Sequence, residues 1–189
     1  MTLERLRDEY DLARRYPQSV YTDLPEADVY WRPAPKSSGI GWHLGHQAAI
    51  NHILVRNVLA AEPSLNPQLD ALFDAATPEE QRGMLPPLPA ILTSREAIAR
   101  RTHAHIEAVL AGTRPAAQPA TYAIGALLVS LIHHEYQHDC WVREMHAVLG
   151  RETLDVVLSR AVCQVEGYWV LPTAMTWGQT PAALIRGRG

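Results

Sequence analysis

Leu127, Leu131, His134, His138, Trp141, Val142, Met145 and Leu149 recur at steps of three and four residues, the spacing that gathers side chains on one face of an α-helix. The pattern predicts a helix from about Tyr122 to Leu149, ended by Gly150, and a helix with an apolar ridge must bury that ridge against other elements. Two histidines interrupt the ridge. Four residues apart, their imidazoles lie about 40° apart on one face and about one turn from each other. Burying polar rings there costs free energy unless each finds a partner.

Three further helices are legible. Leu3, Leu6, Tyr10, Ala13 and Val20 predict one from about Thr2 to Tyr21, bent or broken at Pro17. Leu24 to Ser38, with Pro25, Pro33 and Pro35, reads as a loop. A second helix is expected to start on Ser37 or Ser38 as cap and to run to about Ala61, with Trp42, His46, Ala49, Ile50, Ile53 and Asn57 on its buried stripe. His43 borders that stripe, and His52 points elsewhere, beside Arg56. Residues 63–92 carry six prolines and form the long connection, with at most a short helical turn. Thr93 to Glu96 has capping-box spacing, so the third long helix is placed from Thr93 to Ala111, ended by Gly112, with Ile98, Ile106 and Val109 inward. After a Pro-rich linker at Arg114 to Pro119 comes the helix of the ridge. A fifth helix is expected from Glu152 to Cys163, followed by a tail with Tyr168, Trp169 and Trp177 and no clear period.

The fold class that follows is all-α: a four-helix bundle with one long crossover over residues 1–160, and an extended tail over 161–189 packing on the bundle or at a dimer interface. Net charge −3 gives no electrostatic footprint for nucleic acid, and Arg5, Arg7, Arg14 and Arg15 interleave with Glu4, Asp8, Glu9 and Asp11 as a solvated face. Two cysteines make no disulfide framework, and neither a signal peptide nor a membrane span is evident, so a cytoplasmic protein is expected.

His46 sits mid-stripe on one helix and His134 and His138 on another. If the two helices pack side by side, one divalent ion satisfies all three imidazoles and keeps open positions, the stoichiometry of a catalytic rather than a structural site. Three imidazoles suit Zn, Fe, Ni or Cu. A fourth protein ligand such as Glu107 or Asp139 would instead mark a structural ion in a binding protein. His134 to His138 also spells the His-Glu-x-x-His of zinc proteases, but Asp139-Cys140-Trp141-Val142 follows it where metzincins continue toward a glycine and a third histidine. Glu135 and Asp139 share a stripe about 100° from the ligand face, with Arg143 one turn on. They read either as part of an intrahelical ion pair or as residues that orient an imidazole or handle a proton, a role open to Tyr136 as well. Cys140, about 200° from His138, is not placed as a ligand, and His103 and His105, about 160° apart, cannot share one ion.

Trp31-Arg32-Pro33, then Ser38-Gly39-Ile40-Gly41-Trp42-His43-Leu44-Gly45-His46, then the late histidine pair together resemble the DinB superfamily of metal-binding four-helix bundles, over roughly residues 1–150. Within it the chain is most similar to the amino-terminal domain of ergothioneine-pathway sulfoxide synthases, whose Trp-His-Leu-Gly-His matches Trp42 to His46 and whose His-x-x-x-His-x-Glu matches His134 to Cys140. The resemblance implies metal ligation by His46, His134 and His138. Cys140 stands where that family has glutamate, and a second large domain is missing before Gly189, so iron-dependent sulfoxide formation is not implied. A free-standing domain looks more like the superfamily's thiol-dependent transferases and isomerases. The expectation is a metal-dependent enzyme on a small molecule such as a low-molecular-weight thiol, with no nucleic-acid or membrane partner and a homodimer as its assembly; a non-haem iron enzyme, a hydrolase and a non-catalytic metal-stabilised protein are the alternatives.

Overall fold

The computed structural model describes residues 1–21, 23–113, 118–152, 159–166 and 168–172. Its elements are α1 (Leu3–Tyr21), α2 (Glu26–Val29), α3 (Ile40–Leu54) continuing as a π-helical segment (Val55–Ala60), α4 (Pro67–Leu72), a 3-10 turn (Glu79–Gly83), α5 (Leu88–Leu110), α6 (Gln118–Val148), and a hairpin of β1 (Cys163–Val165) and β2 (Tyr168–Val170). Among the described residues the fold is all-α apart from that hairpin. The long helices pack α1 against α5 and α6, and α3 against α5 and α6, so α3 and α6 stand side by side as the histidine argument requires. Among the described residues no helix is long and apolar enough to cross a membrane.

Several boundaries differ from the sequence expectation, each for a local reason. α1 runs through Pro17 as one helix. The Leu24–Ser38 loop contains the single turn α2, entered at Pro25. α3 begins at Ile40 with Gly39 as N-cap and no side-chain cap, so neither Ser37 nor Ser38 caps it; Ser37 instead closes its own turn by donating to the Ala34 carbonyl at 2.7 Å. α5 starts at Leu88, with Pro87 as N-cap and Pro89 in its first turn, where a missing N–H costs nothing. The Thr93-to-Glu96 spacing therefore lies inside the helix, and Thr93 Oγ1 bonds back to the Pro89 carbonyl at 2.8 Å. The crossover holds α4, capped by Asn66, and the 3-10 turn.

The expected fifth helix does not reach Cys163, which is a strand residue paired with Val170. Residues 153–158 of that expected helix, part of the Pro-rich linker, and Trp177 with the rest of 173–189 lie outside the described residues. The described end of the chain returns to the bundle: Leu171 is buried in the core with Leu127, Leu128 and Leu131, and its N–H donates to His133 Nε2 at 2.9 Å.

The charged face of α1 is a seam rather than a solvated surface. Arg7 pairs with Glu107 at 2.7 Å, Asp11 with His103 at 2.7 Å and Arg14 with Glu96 at 3.4 Å, all across to α5. Glu9 is wholly buried and paired with Arg5. His103 and His105 thus serve different carboxylates, His105 taking Glu62 at 3.1 Å.

Candidate metal centre

α3 is buried on every side, because α5, α6 and the crossover all close on it. Its predicted stripe is therefore only part of the burial: Ile50 and Ile53 are half-buried and Asn57 is exposed, whereas His43, Gln47, Asn51 and His52 are buried. Glycines let the crossover and α2 approach α3 so closely. A Cβ on Gly45 would meet the Phe73 ring at 2.3 Å, and one on Gly41 would meet Val29 Cγ1 at 2.5 Å.

His46 of α3 and His134 and His138 of α6 meet in this packing, with one ligand atom from each lying within 4.8 Å of the others. Ring centroids are 5.1 Å apart for His46 and His134, 4.9 Å for His46 and His138, and 4.4 Å for His134 and His138. Among the described residues these are the cluster that could hold a metal ion. Glu107 and Asp139 are not in it, and neither is Cys140, which lies half-buried beside the Trp169 backbone.

The donor chemistry fits. His46 Nδ1 lies 2.6 Å from the Phe73 carbonyl; a carbonyl only accepts, so Nδ1 carries the proton and Nε2 keeps its lone pair. Such an outer hydrogen bond is the usual support of a ligating imidazole. Trp42 stacks on the His46 ring at 4.4 Å, and the Arg82 guanidinium lies over Trp42 at 4.3 Å. Arg82 is itself held by the Thr77 and Ala75 carbonyls and by Ser38 Oγ, so the crossover clamps the ligand-bearing helix.

Burial also keeps the rings neutral, as a ligand must be. Burial, followed by the neighbouring His46, pushes His134 down to about 3, and burial with the other imidazoles pushes His138 well below the usual range. His46 is lowered mainly by burial, and His43 is pushed down to about 4 by burial and then by His46.

The residues next to the ligands go elsewhere than the sequence suggests. Glu135 pairs with Arg95 of α5 at 2.5 Å, both buried, so its carboxylate is committed away from the role a zinc-protease base would need. Asp139 accepts from Gln47 Nε2 at 3.0 Å, and burial, then Glu135, raises its pKa well above the usual carboxylate range. Arg143 donates to Tyr16 at 2.7 Å. Tyr136 packs edge-on against Tyr16 at 5.7 Å in the core facing α1.

His43, Gln47 and Arg95 are the site residues the sequence reading passed over. His43 Nδ1 is 2.8 Å from His138 Nδ1. The capping-box spacing at Thr93 puts Arg95 in a first turn, whereas in α5, which starts at Leu88, it is a buried interior position. A groove of about 310 Å³ is lined by His43, which contacts His138 of the cluster, together with Pro33, Ser38, Trp141, Glu144 and Met145; none of the three cluster histidines lines it. A second cavity, of about 450 Å³, lies by Arg14, Tyr21, Arg95 and Glu96 and includes none of the cluster histidines.

The family model described as the DinB superfamily matches residues 9–142, a span that holds all three cluster histidines. No curated protein matches the chain.

Proposed function

The chain belongs to the DinB superfamily, and we propose that it is a metal-dependent enzyme acting on a small molecule, with one divalent ion held by His46, His134 and His138. The observation that carries this reading is the set of three imidazoles, two buried and His134 half-buried, kept neutral and supplied by two helices, with the His46 proton fixed on the nitrogen that faces away toward Phe73. Three imidazole ligands with no carboxylate in the set, among the described residues, leave positions open, which supports a catalytic over a structural ion. The groove lined by His43 is of a size for a small molecule.

A bound divalent ion supplies Lewis acidity and lowers the pKa of a thiol or water at an open position. The chain's own residues hold the imidazoles in register, with Trp42 stacked on His46 and Arg82 over Trp42. Thiol transfer is the reaction class we assign, on likeness to the superfamily's transferases. The thiol sulfur forms a bond to an electrophilic carbon, the leaving group departs with its electron pair, and the thiol proton passes to solvent.

Metal analysis of gently purified protein is expected to give about one divalent ion per chain, because one three-histidine set is present. His46→Ala is expected to lose metal as fully as His138→Ala; retention of metal in His46→Ala would remove α3 from the site. Thiol conjugation to an electrophile panel, run beside oxygen uptake, separates transferase from iron-oxygenase chemistry, and activity in either that survives metal removal counts against the reading.

A further inference from the structure

His43 stands beside the three-histidine cluster without belonging to it. We propose that His43 is a positioning residue for the metal centre, its Nδ1 accepting a hydrogen bond from His138 Nδ1–H and so fixing the ring that offers Nε2 to the ion. This inference rests on the metal centre proposed above.

The two nitrogens are 2.8 Å apart and both rings are buried. At that distance one nitrogen carries the hydrogen and the other a bare lone pair. With Nδ1 of His138 engaged by His43, Nε2 is the nitrogen left for the cluster. A ligating Nε2 is bare, which places the His138 proton on Nδ1. His43 is then the acceptor, and its own proton lies on Nε2. His46 shows the same arrangement with a different acceptor, its Nδ1 lying 2.6 Å from the Phe73 carbonyl. Two of the three ligand rings are thus held through Nδ1, one by the crossover and one by α3.

The His43 ring is itself fixed on two sides. Trp42 meets it edge-on at 5.6 Å, and Trp141 lies 5.8 Å away. His43 also lines the 310 Å³ groove, so one imidazole forms both the groove wall and the support of His138. Ligating histidines ordinarily give this hydrogen bond to a carboxylate, a carbonyl or water, and losing such a partner costs about 10–100-fold in metal affinity.

The test measures zinc affinity by chelator competition in wild type, His43→Leu and His43→Asn. Asn retains an acceptor oxygen near the position of Nδ1, whereas Leu retains none. Zinc binding is expected to weaken about 10–100-fold in His43→Leu and to stay within about threefold of wild type in His43→Asn. Long-range proton–nitrogen NMR of the zinc-loaded wild type, which needs no variant to fold, is expected to show His138 protonated on Nδ1 and His43 on Nε2. Equal zinc affinity in His43→Leu and wild type, or His138 carrying its proton on Nε2, overturns the inference while leaving the centre in place. A cobalt-substituted His43→Asn protein whose visible bands show one nitrogen ligand fewer than wild type also overturns it, because His43 is then a ligand. Failure of the wild type to bind zinc or cobalt removes the centre, and this inference with it.

Discussion

Gly45 of the ligand helix packs directly against Phe73 of the crossover, and substituting it tests whether that contact shapes the site. In Gly45→Ala the new Cβ would lie 2.3, 2.3 and 2.5 Å from Phe73 Cε1, Cζ and Cδ1. Carbon atoms settle at about 3.5–4.0 Å, so the ring must retreat by about 1 Å or more. Phe73 is 3 % exposed and packed in a core with Trp42, Leu44 and Ile91, which leaves the ring little room. Overpacking of this kind costs about 1–3 kcal/mol, while alanine in a helix interior recovers about 0.5–1 kcal/mol over glycine. The net expectation is a loss of about 1–2 kcal/mol, a fall of roughly 3–6 °C in Tm for a chain of this size. Gly125 of α6 is the control, since a Cβ there meets only Leu6 Cδ1, at 3.6 Å. Gly125→Ala is therefore expected to stabilise by about 0.5–1 kcal/mol. Urea and thermal unfolding of the metal-free proteins measure both. Zinc affinity is expected to fall in Gly45→Ala alone, because the Phe73 carbonyl that holds His46 moves with its ring. A Gly45→Ala protein as stable as wild type would refute the packing argument.

Arg95→Met leaves the Glu135 carboxylate buried without its cation, which is expected to cost about 3–5 kcal/mol in urea unfolding; adding Glu135→Gln should recover most of it, and a single-variant loss below about 1 kcal/mol would show the pair to be dispensable. Arg82→Ala removes the stack on Trp42 and the hydrogen bonds to Thr77, Ala75 and Ser38. Amide exchange is expected to quicken over residues 74–83 and not in α6, and unchanged exchange there would deny the clamp. His43, at about 4, and His134, at about 3, lie below the ordinary histidine value when folded, so the unfolded chain binds more protons between about pH 6.5 and 3. Their contribution is complete above about pH 6.5 and is lost as pH falls through that window; the raised Asp139 pKa acts with the opposite sign, so the comparison is made in Asp139→Asn, where an unfolding midpoint flat between pH 7 and 4 would contradict the burial of the rings.

The ridge of α6 and the histidine of α3 were legible because periodicity is a local property, written in residues that share one helix. What escaped was set by distant partners. Glu135 and Asp139 precede Arg143 at a spacing that favours an ion pair on one helix, yet Glu135 goes to Arg95 and Asp139 to Gln47, 40 and 92 residues away in the chain. The capping-box match at Thr93 fits only by letter, whereas the prolines at 87 and 89 both fit a helix start. The same limit explains α3. A stripe argument assumes one buried face, and a helix enclosed by α5, α6 and the crossover has none to spare for water. Its polar residues must then find partners on each neighbour. His43, Gln47 and Asn51 stand at steps of four, and in turn they meet His138, Asp139 and Thr102, at 2.8, 3.0 and 3.0 Å. That polar ridge was present in the sequence as plainly as the apolar one on α6. Read as a buried row and not as a solvated face, it places His43 against α6 at the height of His138, which is where the support for a ligating imidazole has to stand.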